Sequence, residues 1–197
     1  MRYSPRFGVL VLTLFGTAVA MPVAAQVQPA PSPTEASRPA VMNSLLRDVA
    51  SVEEKLLALA EAIPEAQHAW RPAEGVRSVS EVLVHVAADN WFLPIAAGVT
   101  APEATGIEAD NYPSVQAYEA RAMSKGEAMQ SLRDSFAHLR AAMEKADEAF
   151  LASTVNLFGS EMSGTDLWVV TTTHLHEHLG QMIAYARSNG VVPPWSR

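Results

Sequence analysis

The sequence contains no cysteine. That absence removes disulfides, thiolate nucleophiles, cysteine-ligated zinc and iron–sulfur clusters together. It also removes lipid attachment at a leader junction, which needs the same thiol. Charge is sparse: Asp, Glu, Lys and Arg make up 18% of the residues, and no run of Lys or Arg follows the first few positions. A protein that grips nucleic acid needs a basic stripe to neutralise phosphates, so that class of partner is excluded. The sequence has no P-loop or dinucleotide-binding glycine pattern, no G-x-S-x-G elbow and no H-E-x-x-H zinc helix. Internal repeats and a series of alternating strands are also missing. What is present is apolar: 49% of 197 residues are hydrophobic and the net charge is −7. This suits one domain with a sizeable core and an acidic surface.

The N-terminus reads as an export signal over residues 1–25. Arg2 and Arg6 precede an uncharged apolar stretch over 7–20, and small residues (Val23, Ala25) stand before Gln26. A second junction is available at Ala18-x-Ala20. The apolar core falls short of the roughly 20 residues that span a bilayer, so a cleaved leader is expected rather than a stable membrane anchor. The mature chain is then periplasmic or secreted. Residues 26–39 carry Pro29, Pro31, Pro33 and Pro39 among Ser, Thr, Gln and Ala. Such a segment buries no core and reads as an extended tether. The folded domain is expected over 40–197.

Four long stretches have helical periodicity. In the first, over 40–62, Leu45, Val49, Val52, Leu56, Leu57 and Leu59 recur at three- and four-residue spacing, and Pro64 ends it. The second starts at Ser78, which stands in capping-box relation to Glu81, and is expected to end near Gly98. The connection over 99–115 carries Pro102, Gly106 and Pro113, so regular structure is not expected there, although a short helical turn is anticipated around Tyr118. A connection of this length crosses the fold or serves function. The third helix begins with a second capping box, Ser124 and Glu127, and is expected to reach about Phe150. Residues 154–164 suit a turn or a short hairpin. Thr165 is positioned to cap the fourth helix, which runs to about Asn189, with Gly190 at its C-terminal αL position. The expected fold is all-α, a four-helix bundle with one long crossover between the second and third helices.

Without cysteine, a metal site must use imidazole and carboxylate. His174 and His178 are one turn apart, so they differ by about 40° around the axis and project to one side. Both can reach one ion at roughly 2.1 Å. His176 lies between them and points away. His85 is the best third candidate. It interrupts the apolar run Val82-Leu83-Val84-His85-Val86-Ala87-Ala88, where an imidazole needs a partner. A shared metal or an ordinary hydrogen bond would both satisfy it. His68 and His138 read as surface or packing residues.

Several segments carry a resemblance to the DinB/YfiT-like family of metal-dependent four-helix-bundle proteins. They are Trp70-Arg71-Pro72, Arg77-Ser78-Val79-Ser80-Glu81-Val82-Leu83-Val84-His85-Val86-Ala87, His174-Leu175-His176-Glu177-His178-Leu179-Gly180-Gln181 and Gly190-Val191-Val192-Pro193-Pro194-Trp195-Ser196. The resemblance covers about residues 40–197. It implies an up-down-down-up helix order and a divalent metal held by His85, His174 and His178, with positions open to water or substrate. Family members of known activity are transferases or isomerases that use low-molecular-weight thiols such as bacillithiol or mycothiol. These are cytosolic cofactors, and the export signal here departs from that setting.

The expected function is therefore a metal-dependent enzyme of hydrolase or transferase type acting on a small molecule. The alternative is a non-catalytic protein that binds metal or a small ligand. Imidazole donors suit zinc or nickel first and iron next. Asp89, four residues after His85, is a candidate acceptor or weak base near the ion, or a solvated residue at the bundle end. Gln181 either faces the same cavity or packs against a neighbouring helix. A homodimer through Trp168, Val169 and Met182 is compatible with either function, although core packing suits those side chains equally.

Overall fold

Helix begins where the proline-rich stretch ends. A computed structural model describes residues 37–196. The expected export signal and most of the expected tether lie outside the described residues. Everything below falls within the unit Ser32–Arg197.

Helix α1, Ala40–Ala62, buries the stripe Met42, Val49, Val52, Leu56 and Leu59. It stops before Pro64, which has no N–H to continue the ladder. Its last carbonyls are not left to water alone. Lys125 Nζ donates to Glu61 O at 2.8 Å and Ile63 O at 2.9 Å, placing a cation at the negative end of the helix.

Helix α2, Val79–Phe92, opens with the expected capping box: Ser78 accepts from the Glu81 N–H, and the Glu81 carboxylate accepts from the Ser78 N–H. Nearly every residue of α2 is buried, polar His85, Asp89 and Asn90 included. A helix apolar all round has to lie inside the molecule, and α2 packs on α1's neighbours rather than on solvent. Its α-helical bonding ends at Phe92. The chain continues as a 3₁₀ turn, Leu93–Ala97, because Pro94 lacks a donor, and Gly98 terminates it at φ 76°.

The connection that follows has more structure than expected. A 3₁₀ turn, Glu103–Thr105, leads to helix α3, Tyr112–Glu119. Pro113 starts this helix instead of breaking it, since a first-turn residue has no intrahelical N–H bond to lose. Tyr118 pins α3 in place: its hydroxyl accepts from Trp91 Nε1 and bonds to Ser131, on α2 and α4 respectively.

Helix α4, Lys125–Met143, has the second expected capping box. It stops seven residues short of the expected end. Asp147 caps a separate short helix, α5, Glu148–Ala152, by accepting from the Phe150 N–H at 2.8 Å. Strands β1, Thr154–Leu157, and β2, Ser160–Ser163, then pair antiparallel, with Leu157 opposite Ser160. The fold is mostly helical with this one small sheet among the described residues. The two-residue loop Phe158-Gly159 has positive φ at both positions (54° and 80°), the geometry that matches strand twist in a tight hairpin.

Helix α6, Gly164–Ser188, is capped by Ser163 in a capping box with Asp166, not by Thr165. Thr165 instead bonds the Leu151 carbonyl. Gly164 is required at this junction: a Cβ there would sit 2.2 Å from the Phe150 carbonyl oxygen. The four long helices are α1, α2, α4 and α6. Helix α1 packs on α6 and α4, while α2 packs on α4, α3 and α6. Trp168, Phe136, Leu83 and Leu132 are completely buried between them. Of the three residues considered for a dimer face, Trp168 and Met182 lie in this core and Val169 is exposed. No helix among the described residues is long and apolar enough to cross a membrane.

Candidate metal centre

His85 projects from the middle of α2 and His174 and His178 from the middle of α6. One ring nitrogen from each lies within 4.8 Å of the other two. The ring centroids are 5.4 Å apart for His85–His174, 4.6 Å for His85–His178 and 4.4 Å for His174–His178. The three candidates chosen from spacing and sequence context are thus brought together. His176 is not among them. It faces α1 and pairs with Asp48 at 2.9 Å. His68 and His138 are also elsewhere, His68 buried near the end of α1 and His138 against the Trp91 ring. Burial, reinforced by Lys125 at His68 and Lys145 at His138, pushes both imidazoles below the ordinary histidine value of 6.5.

The proton on two of the three ligand candidates can be traced. The Arg77 carbonyl only accepts, so Tyr185 O–H, 3.0 Å away, donates to it. The Tyr185 oxygen then accepts from Gln181 Nε2 at 2.9 Å. That orients Gln181 with Oε1 toward His178 Nδ1 at 2.8 Å, and Nδ1–H donates. The His178 Nε2 is left with its lone pair exposed to the cluster, and it is fully buried with no hydrogen-bond partner. Burial holds this imidazole below its ordinary pKa; the neighbouring His174 and His85 add to the effect, and Gln181 and Asp89 oppose it. His178 is therefore neutral near pH 7.

His85 is oriented by a residue that sequence spacing gave no reason to select. Its Nδ1 lies 2.8 Å from Glu119 Oε1, so Nδ1–H donates and the Nε2 lone pair turns inward. Burial alone would raise the Glu119 carboxyl, but hydrogen bonds and charge from His85 and then Arg77 outweigh it and hold the group below the usual carboxylate range. Arg77 Nη2 reaches Glu119 Oε2 at 3.2 Å. Carboxylate and amide partners on the far nitrogen are what fix an imidazole as a metal ligand.

Asp89 completes the constellation. Its Oδ2 lies 2.7 Å from His174 Nε2 and 3.3 Å from His85 Nε2. A carboxylate oxygen facing inward-turned imidazole nitrogens calls for positive charge between them, as a proton or a cation. The donor set of three imidazoles and one carboxylate, with one bare buried lone pair, fits a divalent ion of the borderline class. The His85, Asp89 and His174 side of the cluster opens into a cleft of about 400 Å³. His178 lies behind it.

These features define a helical protein with a three-histidine cluster at the meeting of two long helices. The family model of the DinB superfamily matches residues 49–182, and the chain belongs to that superfamily. Among solved structures, a DinB-like protein from Bacillus cereus is similar at a TM-score of 0.62 and 16% identity, covering 77% of this chain and 95% of that one. YfiT from Bacillus subtilis, described as a probable metal-dependent hydrolase with an unusual four-helix bundle topology, matches at 0.61 and 13% identity, over 85% of this chain and 94% of that one. The mycothiol-dependent maleylpyruvate isomerase matches at 0.57 and 13% identity, over 72% of this chain and 60% of that one. At these identities the likeness establishes the fold. No curated protein matches the sequence.

Proposed function

We propose that this chain is an exported metal-dependent enzyme of the hydrolase or transferase type, in which His85, His174 and His178 hold one divalent ion. The observation that carries this reading is the His178 Nε2, a buried lone pair with no partner whose tautomer is enforced by Gln181, Tyr185 and the Arg77 carbonyl. A buried polar atom left unsatisfied is costly, and an ion would satisfy it. A three-imidazole ion supplies a Lewis acid and lowers the pKa of bound water to roughly 7. Glu119 and Gln181 keep the His85 and His178 Nε2 lone pairs directed inward. Asp89 Oδ2, at the cleft end of the cluster, is the acceptor placed to take a proton from a substrate group or to hold it in orientation.

Zinc or nickel is the favoured ion and iron the next, from the nitrogen donor set. The helix order is up-down-down-up, supported by the long connection between α2 and α4. Residues 1–25 act as the leader, 26–39 as the tether and 40–197 as the catalytic bundle, with a periplasmic or secreted location. N-terminal sequencing of material recovered from a periplasmic extract should begin at Gln26; a chain that retains Met1 there contradicts the leader.

The central test is elemental analysis of the natively purified protein. One equivalent of metal is expected, falling to a trace in both His174→Ala and His178→Ala. Bound metal unchanged in either variant sinks the assignment. A second reading has one observation in its favour: Asp89 is close enough to two of the ring nitrogens to serve as a fourth protein ligand. Such a closed shell characterises structural metal, and a non-catalytic binding protein would follow. Chelation separates the two. A structural ion should lower Tm steeply on removal, whereas an open site should lower it modestly.

A further inference from the structure

We infer that the cleft beside the histidine cluster takes a small uncharged molecule with an aromatic or flat apolar body and one electron-pair donor at its end, and that Phe158 selects the apolar body. The donor end rests on the metal reading above; the apolar end does not.

The cleft is strongly two-sided. His85, Asp89 and His174 form one end, and the rest is walled mainly by apolar groups, including Leu93 after α2, Met162 on β2 and Val170 on α6, with Ser160 a polar exception. No Lys or Arg lines it. A phosphate or carboxylate placed beyond the donor end would meet no side-chain cation there, and Asp89 would repel it. Its volume, about 400 Å³, lies within the roughly 300–1,000 Å³ of small-molecule sites and suits a one- or two-ring compound.

Phe158 makes the argument specific. It occupies a hairpin-tip position at φ 54°, where Asn, Asp or Gly is at ease and a bulky side chain is strained. The hairpin gains little core from it, since the residue is 62% exposed. Its ring stacks on Phe92 at 5.2 Å and meets Tyr112 edge-on at 5.7 Å, and Phe158 and Tyr112 together give the cleft an aromatic rim. Val170 and Tyr112 are likewise exposed on this rim. A strained, exposed aromatic continuous with a donor-lined pocket is accounted for by a ligand that covers it.

4-Phenylimidazole and imidazole present the same single uncharged nitrogen donor and differ in the body, so the full chain loaded with zinc can be titrated with each. The phenyl compound should bind about tenfold tighter, as burial of one ring against aromatic partners predicts. Phe158→Ala, and Val170→Ser on α6, should each remove most of that preference with zinc content unchanged. Equal affinities for the two probes in the unsubstituted protein, or a preference that survives both substitutions, overturns the inference and leaves the metal site standing. If the chain takes up no zinc, nickel or iron, the metal reading fails instead. The apolar cleft is then decided on metal-free protein by saturation-transfer NMR with benzyl alcohol. Transfer to the ring that is lost in Phe158→Ala supports the cleft, and no transfer from the unsubstituted chain overturns it.

Discussion

The His178 tautomer is decided by a backbone carbonyl three hydrogen bonds away, through Tyr185 and Gln181. Removing one hydroxyl should therefore be felt at any ion held by the cluster. Tyr185→Phe frees Gln181 to turn its amide, and metal affinity measured by chelator competition should fall by about 10–100-fold, the usual effect of losing a ligand's supporting partner. Glu119→Gln, which replaces the acceptor of the His85 proton, should cost a similar factor. Affinity within twofold of the parent in both variants would show that the outer hydrogen bonds do not orient the rings. The His174–His178 pair was legible in the sequence because helical spacing alone fixes their common side. His85 was legible as an imidazole stranded in an apolar run: Nδ1 makes the hydrogen bond offered for it, and the ring stands in the three-histidine cluster. Glu119 was not legible. It is 34 residues from His85 and arrives there only because Tyr118 wedges α3 between α2 and α4.

The long helices were visible through their apolar stripes, and the two capping boxes at Ser78 and Ser124 placed their starts. Ends and short elements were harder to see. The stretch after Met143 keeps helical composition, so nothing local marks the break; Asp147 makes it by capping α5. Pro113 read as a breaker and serves as a helix start, because a proline's missing donor matters only beyond the first turn. Thr165 read as a cap, yet Ser163 wins since the extended residue is the one closing the hairpin. That junction supplies an element-scale prediction. In Gly164→Ala the new methyl meets the Phe150 carbonyl, which cannot give without moving α5 or the hairpin. The variant should lose about 1–3 kcal/mol of stability in urea denaturation, as overpacking does elsewhere. A loss below a few tenths would show that the junction relaxes freely.

At the scale of the molecule, two histidines outside the three-histidine cluster tie stability to pH. His68 and His138 have folded-state pKa values below 6.5 because of burial. The unfolded chain therefore binds protons that the native one refuses, and their contribution is fully present above pH 6.5 and lost as pH falls below it. The urea midpoint of metal-free protein should drop between pH 7 and pH 5, and His68→Gln with His138→Gln should flatten that slope. An unchanged slope contradicts the assignment. The same scale shows what Arg77 accomplishes. Its carbonyl anchors the chain leading to His178, while its guanidinium anchors the carboxylate that holds His85. Both imidazoles are thus referenced to one residue just ahead of α2. When thermal motion shifts that residue, the two rings are carried in the same direction. Their fluctuations should therefore be correlated, with the distance between them varying less than the position of either helix.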